Sequence, residues 1–267
     1  MTKVTLNEMF DNLLHIWNKR GFWNSQMRPF IYGVVNGVHV INLIETEKKL
    51  QEVALQLKEL SDSGKKILFV ATKIQSREAF KNLAEATGHY YVSEKWVPGL
   101  LTNFRTIKRR IASYIQLSDD NNNGNLDVLT KKEKAQRLLE LEKLEKAYSW
   151  LKDMKKLPDA IFVSDWIYDK QALKEAQNLK ITSFAIFNTN GSLDLATNMI
   201  PANTNAVKSF EYIASVLKTH LGDAKTQKKA TFKKVEQDVV SGEKKATRKP
   251  RVKKEEATVE ATEATAE

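Results

Sequence analysis

The ten residues GKKILFVATK, 64–73, decide the fold. A continuous apolar run, Ile67 to Val70, stands between turn-forming residues, which is the pattern of a strand buried on both faces of a parallel sheet. The segment after it, SREAFKNLAEATG at 76–88, has helical spacing. The same unit recurs downstream, with PDAIFVSD at 158–165 followed by the helical DKQALKEAQNLK at 169–180, and then ITSFAIFNTN at 181–190. Strand, helix, strand at this spacing predicts right-handed crossovers and a parallel sheet covered on both sides. Two weaker strands, around His89 to Val92 and Asn198 to Ile200, complete it.

Upstream, PFIYGVVNGVHVINL at 29–43 sets Asn36-Gly37 between apolar stretches, a strong β-hairpin signal. The next segment puts Leu50, Val53, Leu57 and Leu60 on one helical face, with Thr46 as the expected N-cap. Residues 102–151 break the α/β rhythm. Thr102 is positioned to cap a helix whose seam is Phe104, Ile107, Ile111 and Tyr114, and the polar run SDDNNNGN at 118–125 stops it. A second helix from Thr130 carries Ala135, Leu138, Leu141, Leu144 and Tyr148. Two narrow seams joined by a polar loop predict an antiparallel coiled-coil hairpin inserted between two strands and projecting from the body. The expected organisation is therefore an N-terminal arm and β-hairpin over 1–44, a three-layer α/β domain over 45–101 and 152–221, the helical hairpin over 102–151, and a tail over 222–267.

The tail differs in composition from everything before it. Between Lys225 and Lys254 twelve Lys or Arg face only Glu236, Asp238 and Glu243, and an acidic, Ala/Thr-rich end follows. Such a segment cannot bury a core and is expected to be disordered. Over the whole chain of 267 residues, 43 basic against 33 acidic side chains leave a formal charge of +10. That excess favours polyanionic partners, although part of it is ordinary solubility charge. Zero cysteines exclude disulfides and thiolate chemistry. No apolar run reaches membrane-spanning length, and the acidic residues near the start argue against a targeting peptide, so the chain is expected to stay in the cytoplasm.

Catalytic signals are thin. The loops after the first two strong strands, ATKIQS and SDWIYDK, hold no glycine to admit a phosphate, and neither GxGxxG nor GxxxxGK[ST] occurs anywhere. The four histidines, His15, His39, His89 and His220, stand apart rather than in a metal-ligating arrangement. Asp165 and Asp169 share a loop. Turn closure by Asp165 and helix capping by Asp169 account for them better than acid/base chemistry does. No catalytic residue, metal or cofactor is expected.

Basic and aromatic positions carry more. HIWNKRGFWNSQMRPF at 15–30 mixes Trp17, Phe22, Trp23 and Phe30 with Lys19, Arg20 and Arg28, a combination able to stack on unpaired bases while meeting phosphates. The other reading is that the aromatics pin an arm to the domain, and for Trp23 both stay open, while Phe30 is expected to be buried. Arg105, Lys108 and Arg109 lie three or four apart, so one helix face presents a cationic stripe able to follow a phosphate backbone.

At this point the chain resembles the bacterial small-subunit ribosomal protein S2 family, over roughly residues 6–219. The resemblance rests on WNSQM with RPFIYG, NGVHVINL, GKKILFVATK, LLTNFRTIK, LTKKE, LELEKLEK, KDMKKLPDAIFV, LKEAQNLKI, FAIFNTN and IPAN, all in the same order. It implies a flavodoxin-like sheet with an inserted coiled-coil hairpin. It further implies a ribosomal component that binds folded small-subunit rRNA, neighbours other small-subunit proteins and, in many members, supports docking of ribosomal protein S1. The chain departs from the family in several places. An HxGH pattern is replaced by His15, Ile16, Trp17 and Asn18; WNPKM reads WNSQM; WLGG reads WVPG at 96–99; and DTN reads NTN at 188–190.

Taken together, the sequence predicts a structural rRNA-binding protein, monomeric within the ribosome and without catalytic activity. The candidate contacts are Lys19, Arg20, Trp23, Asn24, Arg28, Lys73, Thr102, Asn103, Arg105, Lys108 and Arg109. Two rivals remain from other classes. One is a nucleotide- or flavin-binding enzyme of flavodoxin-like fold, which would show a bound chromophore. The other is an RNA chaperone, which would purify free of ribosomes.

Overall fold

A computed structural model describes residues 4–151, 154 and 156–222. The expected tail over 222–267 lies outside the described residues except for Gly222. Five parallel strands, β4 (Ile67–Val70), β5 (Tyr90–Val92), β6 (Ala160–Val163), β7 (Thr182–Phe187) and β8 (Asn198–Pro201), form one sheet in the order β5-β4-β6-β7-β8. The order reverses between β4 and β6, which is the flavodoxin-like arrangement.

The unbroken apolar runs are explained by what lies on either side. Ile67, Phe69, Ala160, Phe162, Phe184 and Ile186 point into one core, together with α2 (Leu43–Asp62), α3 (Ile74–Thr87) and α7 (Val207–Leu221). Leu68, Val70, Ile161, Val163, Ala185 and Phe187 point into a second core, with α6 (Lys170–Asn178), the root of the helical hairpin and part of the N-terminal sheet. Alternation of period two on a sheet covered twice requires apolar residues at every position. Pro201 sits at the edge, on β8, where a missing N–H is tolerated.

The first described helix is α1 (Leu6–Asp11), and a small antiparallel sheet follows it, built from β1 (Ile16–Lys19), β2 (Ile31–Val35) and β3 (Val38–Ile41) in the order β1-β3-β2. The Asn36-Gly37 turn has φ of 50° and 76°, the left-handed pair that a tight hairpin of this hand demands. The expected cap of α2 falls elsewhere. The cap of α2 is Asn42, whose Oδ1 accepts from the Ile44 N–H at 3.2 Å. Thr46 is buried inside that helix, and its hydroxyl donates to Pro201 O at 2.8 Å, tying α2 to β8. Sequence spacing could not separate these, because Asn42 and Thr46 are one helical turn apart and both cap well.

The inserted hairpin comprises α4 (Phe104–Asn122) and α5 (Lys131–Tyr148). The first helix starts one residue later than expected, after Asn103 rather than Thr102, and runs on through most of the SDDNNNGN segment to Asn122. Thr130 caps the second helix in a reciprocal capping box with Glu133. Ile107, Ile111, Tyr114 and Tyr148 join the second core, but between Ile115 and Ala147 only Leu126 is buried. The distal hairpin is thus surrounded by solvent, and its helices pack on each other.

Candidate nucleic-acid interface

The hairpin root is held by one buried acid. Glu175, 2% exposed on α6, accepts through Oε1 from Trp96 Nε1 at 3.1 Å and the Gly99 N–H at 2.8 Å. Its Oε2 accepts from the N–H groups of Leu101 at 3.1 Å and Thr102 at 3.4 Å. Burial pushes this carboxyl up, but the bonds from Gly99, Trp96, Leu101 and Thr102 outweigh it and hold Glu175 below the ordinary carboxylate value. A single ionised side chain therefore fixes residues 96–102, from which α4 departs. Sequence reasoning missed this role. The available signal was an acid among Ala172, Leu173 and Ala176 on the buried face of a short helix.

Beyond that clamp, α4 presents Arg105, Lys108, Arg109 and Arg110, all exposed. Helical spacing sets Arg105 and Arg109 opposite the buried Ile107, Ile111 and Tyr114. None of the four makes an ion pair among the described residues, whereas three basic residues of the second arm do: Arg137 with Glu140 at 3.1 Å, Lys146 with Glu142 at 2.6 Å, and Lys134 with Asp127. The two acids of α4, Asp119 and Asp120, lie at its far end. Arg105 also occupies the first turn, where the helix dipole disfavours a cation by about 0.3–1 kcal/mol. The proximal half of α4 is therefore an unneutralised cationic stripe.

The N-terminal candidates occupy a second surface. Lys19, Arg20 and Arg28 are exposed and without ion pairs among the described residues. Trp23 is 44% exposed, with its ring tilted against that of His39 at 5.9 Å, so one part of the indole is packed and another faces solvent. Phe30 packs half-buried against the second core. Asn24 is half-buried and structural in its bonds: its Oδ1 accepts from the Gln26 N–H and its own N–H donates to Thr189 O at 2.8 Å. Thr189 in turn donates through its hydroxyl to Phe22 O at 2.9 Å, so residues 22–24 are tied to the loop after β7. Gln26 bonds to Asp194 and Leu193 on the same side. Thr102 and Asn103 have exposed side chains at the hairpin root.

Lys73 is placed otherwise than its grouping with the RNA contacts requires. It is 7% exposed, and its ammonium donates to Asp165 Oδ2 at 2.7 Å, to Thr204 O, and to Asn205 Oδ1 at 3.1 Å. All three donors are spent inside the protein, so a phosphate has nothing to bind there. Asp165 also accepts from the Ile167 N–H at 3.0 Å and closes its turn as expected. Asp169 stands at the N-cap position of α6 but makes no capping bond. It accepts instead from the Thr72 hydroxyl at 2.8 Å, and burial lifts its carboxyl to about 6. The two acids are thus buried supports for the strand ends. Among the described residues no group of three or more His, Asp or Glu is placed to hold a metal.

A family model described as ribosomal protein S2 matches residues 9–224. A protein of Fusobacterium nucleatum named small ribosomal subunit protein uS2 is 41% identical over 218 residues, covering 81% of this chain and 88% of its own. Proteins of the same name from Mannheimia succiniciproducens and Vibrio cholerae are 36% and 38% identical, over 90% and 79% of this chain and 100% and 87% of theirs.

Proposed function

The chain belongs to the ribosomal protein S2 family, and on that premise we propose how it is held on the ribosome. As a family member it is a structural constituent of the small ribosomal subunit, associated with rRNA and ribosomal proteins in the cytoplasm, and it is not an enzyme. The proximal stripe of α4, with Arg105, Lys108 and Arg109, lies along rRNA phosphates, and Lys19, Arg20, Trp23, Asn24 and Arg28 form a second, smaller contact. Thr102 and Asn103 meet RNA where the hairpin leaves the body.

The observation that carries this reading is the clustering of charge on the proximal half of α4: Arg105, Lys108, Arg109 and Arg110 stand together with no acid on that helix before Asp119, and none of them makes an ion pair among the described residues. Cations left unpaired on a rigid helix gain most from a partner that brings fixed phosphates and releases counterions. Recognition is of shape and backbone rather than of base sequence. Other small-subunit proteins, ribosomal protein S1 among them, are the protein partners in this proposal.

Sedimentation of tagged protein through a sucrose gradient tests it. Wild-type chain is expected with small subunits, and the triple variant R105A/K108A/R109A is expected to shift toward the top of the gradient as salt is raised. Equal retention of the two at every salt concentration would overturn the assignment of the stripe.

A further inference from the structure

We infer that the crevice beyond the C-terminal ends of the parallel strands is a binding site for one unstacked nucleobase, received against the rings of Phe22 and Tyr168. This rests on the RNA-binding reading above and extends it to a place that the basic stripe does not reach. The crevice has a volume of about 320 Å³ and opens among the segments that follow β4, β6, β7 and β8, with β1 forming a wall. It lies where the strand order reverses, the position at which sheets of this topology accept ligands.

The chemistry of the lining selects the ligand. Phe22 is 68% and Tyr168 66% exposed, two large rings left in water at the edge of one cavity. Tyr168 is steadied from within by the Lys73 ammonium, 5.3 Å from its ring centroid. The floor is polar but carries no spare charge, because the Lys73 ammonium is spent on Asp165, Thr204 and Asn205. A phosphate lowered there would meet an already neutralised cation beside a carboxylate, so the floor rejects anions and accepts a neutral polar plane.

Amides supply the edge contacts. Asn18, Asn190 and Asn205 line the cavity; Asn205 Oδ1 already accepts from Lys73 and Asn18 Oδ1 from Asn188 Nδ2 at 3.4 Å, which leaves the amide N–H groups of Asn18 and Asn205 to donate to the acceptors of a base edge. Asn190 Oδ1 is buried with no hydrogen-bond partner among the described residues. Buried acceptors are nearly always paired, and a turn of the Asn190 amide into the crevice would bring that oxygen to a base N–H. The exposed Lys19 at the cavity is free to meet the adjoining phosphate. The volume falls at the low end of small-molecule sites, roughly 300–1,000 Å³, which fits a single base.

The base can come from rRNA or from a free nucleotide, and two experiments separate them. Small subunits carrying wild-type chain or F22A/Y168A are probed with reagents specific for base edges, scored on subunits that contain the protein. The expected result is a nucleotide protected in wild type and in Y168F that becomes reactive in the double variant. In parallel, the full-length chain is titrated with the four ribonucleoside monophosphates and followed by NMR of its asparagine side-chain amides. Binding that weakens tenfold or more in F22A/Y168A assigns the site to free nucleotide. Either result upholds a nucleobase site and names its source. If no rRNA base changes reactivity and no monophosphate binds, the inference is wrong, while wild-type chain still sedimenting with subunits leaves the proposed function standing. Chain missing from subunits would contradict that function, and the nucleotide titration alone would then decide the crevice. Both replaced side chains are mostly exposed, and an unchanged melting temperature will confirm that the variant folds.

Discussion

Replacing Glu175 with alanine should unseat the helical hairpin while leaving every proposed RNA-contacting side chain unaltered, although Thr102, one of them, loses its bonds to the carboxylate. The carboxylate accepts from Trp96 Nε1 and from the N–H groups of Gly99, Leu101 and Thr102 at 2.8–3.4 Å. Thr102 is exposed and regains water, which leaves two buried donors, on Trp96 and Leu101, and the half-buried Gly99 N–H to lose a partner. At about 1–3 kcal/mol for each buried group left unsatisfied, and with some relaxation around the gap, the cost comes to about 3–5 kcal/mol. For a folded region of this size that corresponds to a melting temperature lower by roughly 10 °C. E175Q keeps the volume but turns one acceptor into a donor facing N–H groups, so it should lose about 2 kcal/mol.

Two measurements check this together. Urea unfolding gives the loss in stability, and hydrogen exchange reports the Gly99 and Leu101 amides, which should exchange much faster in E175A than in wild type. Because Glu175 is held below its ordinary value, its contribution is complete above the unfolded carboxylate pKa of about 4.5 and fades as pH falls through the folded value. The difference between E175Q and wild type should therefore shrink in acid. Stability within 1 kcal/mol of wild type for E175A, with unchanged exchange at those amides, would refute the clamp.

Three further outcomes follow from other sites. K73M should cost about 3–5 kcal/mol by stranding buried Asp165, and adding D165N should recover part of it, measured by urea unfolding; the salt dependence of RNA binding should not move, as it would if Lys73 met a phosphate. His89 is buried and its pKa is lowered to about 4, first by burial and then by Lys66. The unfolded ring takes up a proton near pH 6.5 while the folded one stays neutral, so lowering the pH from 7.5 to 5 should cost wild type about 2 kcal/mol that H89F does not lose, visible in paired melting curves. At Gly191 a β-carbon would lie 2.4 Å from Phe187 Cδ1 and 3.1 Å from Asn188 O, so G191A should destabilise by about 1–3 kcal/mol in urea unfolding and displace the loop carrying Asn190.

Most of the architecture is legible because it depends on local pattern. The runs Ile67–Val70 and Ala160–Val163 read as doubly covered strands since every position is apolar, and Asn36-Gly37 names its own turn. Contacts that join distant segments are not legible in this way. Thr46 spacing fits a cap as well as a helix interior, and only the approach of Pro201 O decides between them. Lys73 reads as one more surface cation until Asp165 and Asn205, far along the chain, close around it. Glu175 gives the same lesson in reverse, as an ordinary helical acid whose partners lie more than seventy residues earlier. The cationic stripe on α4 is readable from spacing alone, but that no acid among the described residues folds back to pair with it is visible only in the structure.

The central claim is that unpaired positive charge on the proximal half of α4 grips phosphates. It is tested most directly by the salt dependence of binding to small-subunit rRNA, compared between wild type and R105A/K108A/R109A. Each lost phosphate contact should reduce the slope of log K against log salt by about 0.7–0.9, so the triple variant should be shallower by roughly 2 to 3. Identical slopes for the two proteins would contradict the account.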